Sequence, residues 1–154
     1  MDEVKGSNGD AGIPSTVVFR LGTLGTVAAD RFAAAIEPLD LKPKHVGLMA
    51  SLAHGEASAS QQELAGRLGV VPSLVVSLAD HLERLGAVQR VRDPGDRRRQ
   101  ILTLTEHGRA LLAQCTATAR ELDERFTAVL SSQQRAALQE ALAILAAEAG
   151  LPTK

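Results

Sequence analysis

Aromatic side chains are nearly absent from this 154-residue chain: Phe19, Phe32 and Phe126 are the only ones, and there is no Tyr or Trp. That excludes stacking platforms for single-stranded nucleic acid and aromatic cages for quaternary cations, which need several exposed rings. Cysteine is just as scarce, and a lone Cys115 leaves no internal disulfide framework. No apolar run approaches the ~20 residues of a membrane-spanning helix. The opening stretch, 1–13, is polar with Gly and acids, unlike a signal peptide, so a cytoplasmic protein without a membrane partner is expected. The four histidines, His45, His54, His81 and His107, are scattered without metal-ligand spacing. No Gly-rich phosphate loop, nucleophile elbow or triad is present either. The expectation is a protein with no metal, no cofactor and no enzymatic activity.

Net charge is also small, at -1, but it is unevenly distributed. Between positions 84 and 99 stand Arg84, Arg90, Arg92, Arg97, Arg98 and Arg99 against only Asp93 and Asp96, a local charge of +4. The remainder holds 11 basic and 16 acidic residues, so one edge of the molecule is cationic and the rest anionic. Such segregation suits a protein that touches phosphate with one surface, although a charge run without other context is more often a solvated loop. With 45% hydrophobic and 23% charged residues, the chain has the composition and length of one folded domain.

Residues 1–14 carry almost no large apolar side chain and read as a flexible tail. From Ser15, the spacing of Val17, Leu21, Leu24, Ala28, Phe32 and Ile36 gives one apolar face of a long helix that Pro38 ends. Pro43 opens a second helix with Val46, Met49, Leu52 and Ala53 inward and Gly55 as its stop. Ser60-Gln61-Gln62-Glu63 is a capping box for a short third helix with Leu64, Ala65 and Leu68 inward, closed by Gly69. A fourth helix starts at Pro72 or Ser73 and runs to Leu85, burying Val75, Leu78, Ala79 and Leu82. Two helices joined by a tight Gly-containing turn form a helix-turn-helix pattern.

Residues 87–92 and 100–104 then switch to strand character, and Asp93-Pro94-Gly95-Asp96 between them is strong turn chemistry, giving a β-hairpin tipped with arginine. Thr105 caps a long fifth helix with Leu111, Leu112, Cys115, Leu122, Phe126 and Val129 as its stripe. Ser131-Ser132-Gln133-Gln134 opens a last helix carrying Leu138, Leu142 and Leu145 on one face. The fold class is α+β, mostly α: a winged helix-turn-helix flanked by N- and C-terminal helices.

Three stretches carry a family likeness: Leu82-Glu83-Arg84-Leu85-Gly86-Ala87-Val88, then Val91-Arg92-Asp93-Pro94-Gly95-Asp96-Arg97-Arg98, then Leu102-Thr103-Leu104-Thr105-Glu106-His107-Gly108-Arg109. Over residues 17–147 the chain resembles the MarR family of bacterial transcription regulators. Asp96-Arg97-Arg98 is similar to that family's Asp-x-Arg wing motif, followed at the family's spacing by Leu-Thr-x-x-Gly. The resemblance implies a single domain over 15–149, with dimerisation helices at 15–37 and 106–149 and a DNA-binding lobe at 43–104. It further implies a homodimer on a pseudo-palindromic duplex, acting as a repressor released by a small, anionic aromatic ligand. The alternative is a winged-helix module that binds protein rather than specific DNA, since this fold does not guarantee DNA binding. Three adjacent cations, Arg97 to Arg99, favour the first.

The DNA-binding residues expected on this basis are Ser73, Leu74, Val76 and Ser77 as base readers, with His81 and Arg84 on the same outward face of the fourth helix. The family often has a long polar residue near Ser77. Its absence here points away from guanine and toward thymine methyls at Leu74 or Val76, hence an A·T-rich half-site. Leu74 is equally a packed residue. Arg97 and Arg98 are expected in the minor groove, with Asp96 orienting Arg98 through a salt bridge. Arg90, Arg92 and Arg99 are phosphate or structural residues, and Gln61 and Gln62 offer amides to phosphate at a helix N-terminus. For the effector, Arg20 and His45 face the cleft implied by the resemblance, and Arg20 is otherwise a surface ion pair. Gly22 and Gly25 either permit close helix packing, the preferred reading, or leave space for a ligand. Cys115 is expected to be a small core residue.

Overall fold

The computed structural model describes residues 12–54 and 58–153. Most of the expected tail and the expected helix stop at Gly55 therefore lie outside the described residues. Among the described residues six α-helices and three strands follow one another: α1 Val17–Ile36, α2 Pro43–His54, β1 Ser58–Ser60, α3 Gln61–Leu68, α4 Pro72–Arg84, β2 Val88–Arg92, β3 Gln100–Leu104, α5 Glu106–Phe126 and α6 Ser132–Glu148. Short 3₁₀ turns at Ile13–Ser15 and Glu37–Leu39 bracket α1. The chain divides into two compact units, Met1–Thr116 and Ala117–Lys154.

In the first unit, a core of Ile36, Leu48, Met49, Leu52, Leu64, Val75, Leu82 and Leu102 is sealed from solvent. The stripe predicted for α4 is buried as expected. In α2 the inward face differs from the expectation: Ala53 is exposed, and His45 and Leu48 take inward positions beside Met49 and Leu52. At 100° per residue, Ala53 has turned past the contact line that 45, 48, 49 and 52 share.

The sheet has the order β1-β3-β2, all antiparallel. The β2–β3 hairpin pairs Val88 with Leu104 and Arg92 with Gln100. β1 was not anticipated. Three residues are too few for an alternation to show, and Ser60 reads in sequence only as a helix cap; in the fold Ala59 is buried opposite Leu102. This is a winged helix-turn-helix: α3, a turn through Gly69 at φ 63, α4, and the hairpin as wing. A left-handed residue at that turn is conformationally cheap only for glycine.

Helix ends are set by local side-chain chemistry. Ser60 accepts from the Glu63 amide at 3.2 Å while Glu63 accepts from the Ser60 amide at 2.9 Å. Ser131 and Gln134 repeat the exchange at the start of α6. Thr105 receives the Gly108 amide at 2.9 Å and donates its hydroxyl to the Gly86 carbonyl at 2.6 Å, joining the start of α5 to the end of the helix-turn-helix. Gly108 is required there, because a Cβ would stand on the Ala87 carbonyl and 2.7 Å from Leu104 Cδ1.

The long helices leave apolar surface uncovered within one chain. On α1, Val18 is 82% and Leu24 51% exposed, with Val17 and Leu21 beside them. In the second unit, Leu138, Leu142, Ile144 and Leu145 of α6 are exposed, and Val129, expected in the α5 stripe, is 91% exposed in the turn after that helix. Among the described residues no helix is long and apolar enough to cross a membrane.

Candidate nucleic-acid interface

Helix α4 offers solvent an outward face because its other half is committed to the core. Ser73, Val76 and Ser77 are exposed there; Leu74 is half-buried and packed against the core. Of the two readings open for Leu74, the geometry favours packing, and Val76 is the exposed one of the two apolar side chains. Gln61 and Gln62 occupy the first two positions of α3, where free backbone amides and the positive helix end favour anions.

The wing tip is built from two aspartates whose Oδ1 atoms fold the backbone. Asp93 Oδ1 accepts the Gly95 amide at 2.9 Å, and Asp96 Oδ1 accepts the Arg98 amide at 3.0 Å. The expected Asp96–Arg98 salt bridge is absent among the described residues, because a short side chain at a turn reaches the amide two residues on more readily than a distant guanidinium. Asp96 thus orients the backbone at Arg98, and the guanidinium is left to solvent. Arg92, Arg97 and Arg98 are exposed and have no carboxylate partner among the described residues.

Arg90 of β2 and Arg99, just before β3, are occupied. Arg90 reaches back to α4, with Nη2 2.6 Å from Asp80 Oδ1 and Nη1 3.2 Å from Glu83 Oε2. Arg99 pairs with Glu63 of α3 and lies 4.0 Å from Asp93. For both, the structural alternative is the one the geometry favours over phosphate contact. The acceptors Asp80, Glu83 and Glu63 went unremarked in the sequence as partners, although Asp80 and Glu83 stand three apart on one flank of α4. The Ser60 amide, followed by Arg99, holds the Glu63 carboxyl below the usual range.

His81, expected to face DNA, is turned along the flank of α4. Its Nε2 donates to the Asp40 carbonyl at 2.6 Å, a proton position assigned because a carbonyl only accepts. Its ring stacks on His45 with centroids 4.4 Å apart. Asp40 adopts φ 57, which aims its carbonyl at α4. His45 is 7% exposed and its Nδ1 accepts the Lys42 amide at 2.9 Å, the role a Glu or Gln plays at the third position of a capped helix. Burial, followed by the charges of His81 and Lys42, lowers its pKa from 6.5 to about 4 against a weaker upward pull from Asp40.

These residues wall a cavity of about 890 Å³ at the junction of the α1 end, the α2 start and α4, lined among others by Glu37, Lys42, His45, Ser77, His81 and Arg84. Arg20 is not part of it. It lies 13 residues before Ala33, the first residue of the lining, or about 20 Å along the helix. Its Nε donates to the Pro14 carbonyl at 3.3 Å. Within one chain, then, the two residues proposed for a ligand are not brought together. Cys115 is buried, and burial pushes its thiol pKa up, away from thiolate reactivity. Among the described residues no cluster of His, Cys, Asp or Glu is arranged to hold a metal ion.

A family model described as the MarR family matches residues 39–99. NicR, an HTH-type transcriptional repressor of Pseudomonas putida, is 32% identical over 130 residues, covering 81% of this chain and 81% of NicR. Rv2887, an HTH-type transcriptional repressor of Mycobacterium tuberculosis, is 35% identical over 119 residues, covering 76% of this chain and 84% of its own. Among solved structures, the transcriptional repressor CouR bound to a 23-mer DNA duplex has a TM-score of 0.75 at 30% identity, covering 89% of this chain and 96% of CouR.

Proposed function

The chain belongs to the MarR family of transcription regulators, and we propose that it acts as a homodimeric, sequence-specific repressor that a small anionic ligand releases from DNA. The observation that carries the DNA half is the set of exposed cations Arg92, Arg97 and Arg98, without carboxylate partners, beside the open face of α4. A solvated charge run would not leave Arg92, Arg97 and Arg98 free while Arg90 and Arg99 are paired. The complex of CouR with DNA supports the same use of the fold. Val76 and the two serines Ser73 and Ser77 read the major groove, Arg97 and Arg98 enter the minor groove, and Arg92 with Gln61 and Gln62 holds phosphate. The role is regulatory, not enzymatic, and is exerted in the cytoplasm.

Dimerisation is supported by the uncovered apolar surface of α1 and α6, which a second copy would bury. Two lobes then meet successive major grooves about 34 Å apart. Ligand release is supported by the cavity beside α4. Lys42 and Arg84 offer cationic nitrogen to an acid group, and Ser77 and Arg84 belong both to the cavity wall and to the DNA-facing helix. A ligand that disturbs the His81–Asp40 tether would shift α4 directly.

In-vitro selection from random duplexes, followed by anisotropy titration of the recovered sequence at several salt concentrations, tests the proposal. An enriched pseudo-palindrome with a steep salt slope is expected. Arg98→Ala should weaken binding by about 1 to 3 kcal/mol, and loss of a phosphate-contacting Arg92 should lower the salt slope by about one. No enrichment with weak salt dependence would instead make this a winged-helix module for a protein partner, and unchanged affinity in Arg97→Ala/Arg98→Ala would refute the wing assignment.

A further inference from the structure

Arg90 stands on the first strand of the wing, yet its side chain is only 17% exposed and is spent on α4. One guanidinium spans two carboxylates, Asp80 at 2.6 Å and Glu83 at 3.2 Å, with a different nitrogen for each. The planar fork of arginine suits this bridge and the point charge of lysine does not. Asp80 lies one helical turn beyond Val76, so without Arg90 it would set negative charge on the face offered to phosphate. Just before the second strand, Arg99 reaches α3 through Glu63, whose other oxygen caps that helix at 2.9 Å from the Ser60 amide. Each arm of the hairpin is thus tied to a different helix of the helix-turn-helix, and Arg92 at the end of β2 and the tip arginines Arg97 and Arg98 are the ones without a carboxylate partner among the described residues. Ion pairs whose carboxylates are about half exposed contribute little to stability, so stability is not what these ties offer. What they restrict is the angle between wing and helices.

We propose that Arg90, with Asp80 and Glu83, and Arg99, with Glu63, are positioning pairs that lock the wing to α4 and α3, so that the tip arginines and the outward face of α4 meet one duplex as a rigid unit. This rests on the DNA-binding reading above. It also opposes simple electrostatics. Removing two acids from the DNA-facing helix by Asp80→Asn/Glu83→Gln should tighten binding if charge alone mattered, and a freed Arg90 should add a phosphate contact. The strut instead requires that the wing lose its grip.

The first measurement needs no DNA. Hydrogen–deuterium exchange of the full chain should show faster exchange of the amides of β2 and β3 in Arg90→Lys and in Asp80→Asn/Glu83→Gln, with those of α2 unchanged. Unaltered exchange of the hairpin in both variants would overturn the strut. The second is a mutant cycle on the duplex selected by the unsubstituted chain. Arg97→Ala/Arg98→Ala should cost tenfold or more in affinity in the native background and less than threefold in the Asp80→Asn/Glu83→Gln background. A purely structural role lowers the melting temperature and leaves the two costs equal, as does a direct phosphate contact by Arg90, and equal costs overturn the proposal. If no duplex is selected while the hairpin exchange still rises, the DNA-binding reading fails and the strut stands.

Discussion

A neutral imidazole at His45 should make the fold acid-sensitive in a defined window. His45 titrates near 4 in the folded chain against 6.5 when unperturbed, so between those values the unfolded chain binds the extra proton. Stability that depends on the neutral ring is therefore present above pH 6.5, fades as pH falls, and is fully lost below about 4. Protonation at Nδ1 also replaces the lone pair that receives the Lys42 amide. Integrating the proton binding gives a loss of about 2 kcal/mol between pH 7 and pH 5, and about 3 kcal/mol once the lower value is passed. For a chain of this size, 2 kcal/mol moves a urea midpoint by roughly 1 M. The comparison that isolates His45 is His45→Gln, since glutamine supplies the same capping acceptor and does not titrate. Urea denaturation followed by circular dichroism at pH 7 and pH 5, at one protein concentration, should show the unsubstituted chain losing about 2 kcal/mol more than the variant. Equal losses in the two proteins would refute the assignment of a buried, capping, neutral His45.

Gly108→Ala should destabilise the fold by about 1 to 3 kcal/mol, because the new methyl meets the Ala87 carbonyl and Leu104 where the backbone cannot retreat; an unchanged urea midpoint would contradict it. Leu21→Glu/Leu24→Glu adds charge to the uncovered face of α1 and should convert a dimer to a monomer at micromolar concentration in sedimentation experiments. A dimer of undiminished stability would move the interface elsewhere. Since these side chains are exposed in one chain, the far-ultraviolet dichroism of the monomer should be retained in its helix-turn-helix.

Much of the architecture was legible because its signals are local. The Ser60–Glu63 and Ser131–Gln134 boxes, Pro43 and Pro72 in first turns, and the stripe Val75, Leu78, Ala79 and Leu82 declare helices through contacts only three or four residues apart. Asp93-Pro94-Gly95-Asp96 declares its turn for the same reason, and two of its members hold amides two residues away. The wing cations Arg97 and Arg98 were readable because nothing long-range captures them. The tertiary structure decided the rest. Whether an arginine in the +4 segment is free or bound depends on carboxylates far away in sequence: Arg90 finds Asp80, ten residues back, and Arg99 finds Glu63, 36 residues back. His81 is drawn off the DNA-facing surface by the Asp40 carbonyl 41 residues away, and Arg20 is separated from His45 by the length of α1. Residue types and their spacing determined the helices, the hairpin and the sign of the charge; which charges remain available for DNA was decided only when folding brought distant partners within hydrogen-bond reach, because ion pairing depends on distance in space and not on distance along the chain.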